Sequence, residues 1–141
     1  MIRNDITKVT ADAIGYGVEK MVNIQRHLPE DERAEKVIFV ITTDGLENAS
    51  KRFSYEKIRW VIAREKERYG WEFLFLGANI DAVETARHFG IDSSRAVNYH
   101  ADHAGTALNF EVLSDAVSAV RASKLGGSWK DRIEKDFKKR K

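Results

Sequence analysis

The residues best suited to chemistry lie where an apolar run ends. Val37, Ile38, Phe39, Val40 and Ile41 give way to Thr42, Thr43, Asp44 and Gly45. The Asp44 carboxylate is a hard oxygen ligand of the kind Mg²⁺ takes. Two hydroxyls precede it, and Glu47 and Asn48 add further oxygens. The same residues also describe a turn: Asp-Gly is a common turn pair, and an aspartate bonds to its own backbone two residues on. The residue types alone admit both.

Other chemistry-bearing residues are sparser. His100 and His103 flank Asp102, with His88 upstream. Two ligands from one loop without a distant third rarely make a metal site, so surface histidines are expected. Gly77-Ala78-Asn79 has neither the glycine spacing of a dinucleotide site nor the Gly-Lys-Ser/Thr of a triphosphate site. No serine stands in a nucleophile elbow. No pair of carboxylates with a base argues for hydrolysis. We therefore expect no enzyme. The alternative is a small metal-dependent or nucleotide-handling α/β enzyme using the Asp44 loop.

The elements that must position Asp44 follow from the hydrophobic pattern. An unbroken β-branched run reads as a strand buried on both faces, as in a parallel sheet. Such a strand is expected over 36–42, a second over 71–77 and a short third over 96–99. In open α/β sheets ligands bind at the carboxyl ends of the strands, where Asp44 falls. Helical spacing predicts a helix over 11–28, with Thr10 as its cap and Pro29 at its end. Further helices are expected over 55–69, stopped by Gly70, and over 81–89, stopped by Gly90. A long helix is expected from Thr106 to about 123. Trp129, Ile133 and Phe137 recur every four residues. They predict one more short helix, whose apolar stripe must be covered by the body or by a partner.

Alternating strands and helices make the fold class α/β: a three-layer α/β/α, Rossmann-like arrangement with a mainly parallel sheet flanked by helices. The expected strand order follows the sequence. Right-handed crossovers put the two middle helices on one face, leaving the first helix and the long one for the other.

Composition sets the limits. Hydrophobic residues are 43% and charged residues 33% of 141, as in a soluble globular domain. There is no cysteine, which excludes disulfides and thiolate zinc sites and suits a cytoplasmic protein. No apolar run nears the ~20 residues a bilayer span needs, so no membrane is expected. Net charge is +2, but residues 124–141 hold eight Lys/Arg against three Asp/Glu, a balance of +5 that leaves −3 on the rest. The chain thus divides into an α/β domain over 1–123 and a basic tail over 124–141. Acidic residues interrupt the tail, so nucleic-acid binding is not expected.

The runs VIFVITTDGLENAS and WEFLFLGANIDAVETARHFGI resemble the second half of a von Willebrand factor A domain, in a bacterial and phage-associated branch. The resemblance covers about residues 10–123. It implies a strand ending in Thr-Asp-Gly that gives its aspartate to a metal-ion-dependent adhesion site. Asp44 takes that role, with Thr10 or Thr7 in the role of the loop threonine. The family's Asp-x-Ser-x-Ser is absent from the 141 residues; Asp92-Ser93-Ser94 and Asn48-Ala49-Ser50 have the wrong spacing. The implied site is incomplete: no cofactor is required, and Mg²⁺ would be held weakly. The resemblance implies a non-enzymatic protein-binding or assembly module, and as partner another protein or an N-terminal half-domain. Without the family's first strand, the edge of strand 36–42 lacks a neighbour. We expect a homodimer through that edge, with fold-back of residues 2–9 as the alternative.

Overall fold

The computed structural model describes residues 4–7, 11–29, 37–43, 55–121 and 125–140. The strands are β1 (Asn4–Thr7), β2 (Ile38–Thr43), β3 (Glu72–Gly77) and β4 (Ala96–Asn98). The helices are α1 (Ala11–His27), α2 (Tyr55–Tyr69), α3 (Ala82–His88), α4 (His103–Arg121) and α5 (Asp131–Lys139). Single 3₁₀ turns, Ser93–Arg95 and Gly127–Lys130, lead into β4 and α5.

The four strands form one all-parallel sheet in the order β1-β2-β3-β4. The central pair runs in register from Ile38 beside Glu72 to Thr43 beside Gly77. Alternation along these strands sends different side chains to the two faces. Phe39, Ile41, Phe73 and Phe75 pack on one, Ile38, Val40, Leu74 and Leu76 on the other. The first face is the aromatic one, with the rings of Phe39 and Phe73 5.8 Å apart and those of Phe75 and Phe89 6.1 Å apart.

Helices cover both faces. Val18, Met21 and Val22 of α1, Ile58, Val61 and Ile62 of α2, and Ala82 and Ala86 of α3 pack on the aromatic face. Val112, Leu113, Ala116 and Val120 of α4 and Ile133 of α5 pack on the aliphatic face. The expected pairing of the first helix with the long one is thereby corrected. With β1 in the sheet, α1 becomes a crossover like α2 and α3, and right-handed crossovers between successive parallel neighbours all fall on the same side. Gly17 makes the close packing of α1 possible, since a Cβ there would lie 2.9 Å from Cζ of Phe39.

β1 also answers the question of the bare edge. It pairs parallel to β2 from Asn4 beside Ile38 to Thr7 beside Ile41. The edge expected to meet a second copy is occupied by the chain's own N-terminal strand, the fold-back weighed as the alternative.

Two helix ends show why the boundaries fall where they do. Gly90 has φ 76°, and Ile91 N–H donates to Ala86 while Gly90 N–H donates to Arg87, closing α3 with a Schellman motif. α4 starts at His103, earlier than the Thr106 expected. Its cap is Asp102, whose Oδ1 accepts from Gly105 N–H at 2.7 Å while its carbonyl accepts from Thr106 N–H at 2.9 Å.

The basic tail is docked on the body. Ile133 is 1% exposed, and Trp129 packs beside it against the α4 face. Trp129 Nε1 donates to Ser94 O at 2.7 Å, and Lys130 Nζ donates to Ser93 O and Ala96 O at 2.6 and 2.8 Å. His100 stacks on Phe137, centroids 4.8 Å apart. Arg132 pairs with Glu111 and Arg140 with Asp102. Part of the tail's positive charge thus meets acidic side chains of the body. No helix among the described residues is long and apolar enough to cross a membrane.

Candidate functional site at the carboxyl ends of the strands

The parallel sheet brings the carboxyl ends of its strands to one rim. Thr7 closes β1, Thr43 closes β2, Gly77 closes β3 and Asn98 closes β4. Asp44 and Thr10 lie outside the described residues. Thr7 is placed by its backbone, its Cα paired with that of Ile41. Asp44 follows Thr43 directly in sequence, and Thr10 follows Thr7 by three residues.

The described part of the rim is tied together by its own hydrogen bonds. Ala78 N–H donates to Thr43 O at 2.8 Å, and Tyr99 N–H to Gly77 O at 3.0 Å, so the ladders continue past the strand ends. The Thr43 residue is 2% exposed, which makes it part of the floor rather than a free ligand. Asn79 turns the chain with φ 59°, a left-handed conformation that asparagine tolerates better than most residues. The first amides of α3 are then used internally. Asn98 Oδ1 accepts from Ala82 N–H at 3.0 Å, and Asp81 Oδ1 accepts from Glu84 N–H at 3.1 Å. Gly77-Ala78-Asn79 is therefore a packed connection into α3, in keeping with its lack of a phosphate-loop pattern.

The strand order has a chemical consequence. A crevice at the end of an α/β sheet opens where the strand order reverses and successive crossovers part to opposite faces. Among the described strands the order never reverses, and α1, α2 and α3 share a face. The described rim accordingly has no such crevice.

The histidine-aspartate loop serves the fold. Asp102 caps α4 and pairs with Arg140. His100 Nε2 lies 3.0 Å from Phe137 O beside the stacked ring. His103 is the exposed first residue of α4, and His88 lies 3.6 Å from Glu84 on the exposed side of α3. The Arg140 guanidinium, helped by the Gly105 amide, holds the Asp102 carboxyl down to about 2. Asp136, beside the same guanidinium, is lowered as well. Asp92, away from this cluster, is lowered by the Ser94 hydroxyl and amide. Among the described residues no group of three or more His, Asp or Glu is arranged to hold a metal ion.

One polar feature escaped the sequence reading. Glu65 on α2 is 1% exposed, with Oε1 held by Arg64 Nε at 3.0 Å and Oε2 without a hydrogen-bond partner among the described residues. Its spacing of three from Ile62 and seven from Ile58, on the core face of α2, was the available signal.

Fold and rim together define a small Rossmann-like α/β domain with a parallel sheet. The chain matches no protein-family model, and comparison with curated proteins and with solved structures finds no match.

Proposed function

We propose that the chain is a non-enzymatic protein-binding or assembly module of the von Willebrand A type, with an incomplete metal-ion-dependent adhesion site. The observation that carries this reading is the parallel pairing of β1 with β2, Thr7 level with Ile41. It runs both strands out at the same rim. In sequence, Thr10 follows the first of them by three residues and Asp44 and Gly45 follow the second directly.

The donor set explains why no working metal site is part of the proposal. Mg²⁺ takes near-octahedral oxygen coordination, usually from one or two carboxylates with several waters. One carboxylate and one or two threonine hydroxyls, without the family's Asp-x-Ser-x-Ser, leave an ion mostly to water. The completing ligands are supplied by the protein partner or by an N-terminal half-domain. Calorimetric titration with Mg²⁺ and with Mn²⁺ tests this, with Asp44→Ala as control. The expected result is no saturable heat from either ion. Micromolar binding that Asp44→Ala abolishes would overturn the proposal in favour of metal chemistry at this loop.

A further inference from the structure

We infer that the edge of β4, which has no neighbouring strand among the described residues, is a docking site for a short, extended acidic peptide. β3 lies between this edge and β2, the strand that leads to Asp44.

Consider first the backbone. Tyr99 N–H donates to Gly77 on β3. Alternation then turns Val97 toward β3 as well, and Ala96 and Asn98 away from it. Ala96 is already engaged: its N–H donates to Ser93 O, and its carbonyl accepts from Lys130 Nζ at 2.8 Å. Asn98 is left as the residue whose N–H and C=O face outward along the edge. Its side chain is occupied elsewhere, capping α3 through Ala82 N–H.

A cavity of about 200 Å³ lies at this position, lined by Val83, Ala96, Asn98, Glu134, Phe137 and Lys138 among others. Val83, 38% exposed, forms the α3 wall and Phe137 the α5 wall. The volume is below the roughly 300 Å³ at which drug-sized pockets begin, which suits a residue or two of peptide rather than a cofactor. Neither backbone group of Asn98 has a partner among the described residues, and a residue so placed exchanges two hydrogen bonds with one residue of an antiparallel peptide. The peptide residue opposite Asn98 then points toward α3 and Val83. Its two neighbours point toward α5.

Charge selects what those neighbours are. Lys130 Nζ and Glu134 neutralise each other at 3.2 Å. Lys138, on the same wall, is exposed and forms no salt bridge among the described residues. It leaves the α5 wall cationic, so a carboxylate beside the apolar docking residue is the matching group.

The test uses the full chain labelled with ¹⁵N and two probes, Ac-Asp-Val-Asp-Val-NH₂ and Ac-Lys-Val-Lys-Val-NH₂. The acidic peptide is expected to move the Asn98 and Lys138 amide signals saturably. The lysine peptide, and Lys138→Glu with the acidic peptide, are expected to bind about tenfold more weakly or worse. Methylating the first valine nitrogen of the acidic peptide removes one edge hydrogen bond without touching the protein, and should abolish the shift. Asp44→Ala should leave all of this unchanged, so the two proposals fail separately. No saturable shift at Asn98, or equal binding of both peptides, would overturn the inference. So would an Asn98 signal that moves with protein concentration alone, since the occupant would then be a second copy.

Discussion

Arg140 grips Asp102 across 38 residues of sequence, with Nη1 2.6 Å from Oδ2 and Nη2 3.2 Å from Oδ1. The same guanidinium donates to Asp136 through Nε and Nη2 at 3.0 and 2.8 Å. Asp102 meanwhile caps α4 through Gly105. The end of the tail is thus fastened to the start of the longest helix by a planar fork that a lysine does not reproduce.

That pair makes a prediction about pH. An unperturbed aspartate titrates near ~3.9, whereas Asp102 in the folded chain is held down to about 2, first by Arg140 and then by the Gly105 amide. A depressed folded value means the native state binds fewer protons than the unfolded state in that interval. The contribution is therefore complete above the unfolded value and is lost as pH falls through the folded one. A ¹³C titration of the Asp102 carboxyl is expected to show its midpoint near 2. In Arg140→Ala the midpoint should rise toward the ordinary value, stopping short because the Gly105 amide remains. An unmoved midpoint would show that the ion pair does not set it.

The tail should matter for stability through one side chain above all. Ile133 is 1% exposed and sits with Val112, Leu113, Val97 and Tyr99 in the core of the aliphatic face. Ile133→Ala is expected to cost about 2–5 kcal/mol, read from urea denaturation. Removing residues 127–141 should cost at least as much, since Trp129 and the Arg140 clamp go with it. A midpoint unchanged by either alteration would mean that the tail leaves the body in solution.

Gly105 offers a sharper discrimination. In a helix, Gly→Ala ordinarily gains about 1 kcal/mol. Here a Cβ would stand 1.9 Å from the His100 carbonyl oxygen and 3.1 Å from Oδ1 of Asp102. That carbonyl also accepts from Asp102 N–H at 2.9 Å, so it cannot easily turn away. Gly105→Ala is therefore expected to lose about 3 kcal/mol or more, the sign opposite to propensity. Thr106→Ala, at the exposed neighbouring position, should stay within about 0.5 kcal/mol of the parent.

What was legible in the sequence were the features written in local pattern. The β-branched run from Val37 and the aromatic run from Trp71 located the two central strands. The 3.6-residue spacing of Ile58, Val61 and Ile62, closed by Gly70, placed α2 as the structure has it. The stripe Trp129, Ile133 and Phe137 announced a helix that needed covering, and the aliphatic face covers Ile133 and Trp129. What stayed hidden depended on distance. Asn-Asp-Ile-Thr at 4–7 has no strand pattern of its own, and it becomes a strand through the apolar edge of β2 beside it. Without it α1 was not recognisable as a crossover, and its face was misassigned. The long helix was expected to start at Thr106, but α4 starts at His103, capped by Asp102, which Arg140 holds from the far end of the chain. For the candidate site, Asp44 and Thr10 lie outside the described residues, and the structure adds the parallel placement of the strands that lead to them.

The pairing of β1 with β2 supplies the last prediction. Val37 to Ile41 is an aggregation-prone edge if left bare, with no proline or inward charge and only Lys36 as a guard. β1 covers it from Ile38 to Ile41. The full chain is therefore expected to elute as a monomer near its sequence mass of 16.1 kDa when light scattering follows gel filtration. Removing residues 1–7 takes β1 away and returns the N–H and C=O groups of β2 to the surface. Two such chains can then pair β2 with β2 across a two-fold axis, antiparallel and self-complementary, which closes without forming fibres. The shortened chain is expected to shift to a dimer or larger species as concentration rises. A shortened chain that stays monomeric with an unchanged thermal midpoint would mean that β1 does not protect this edge.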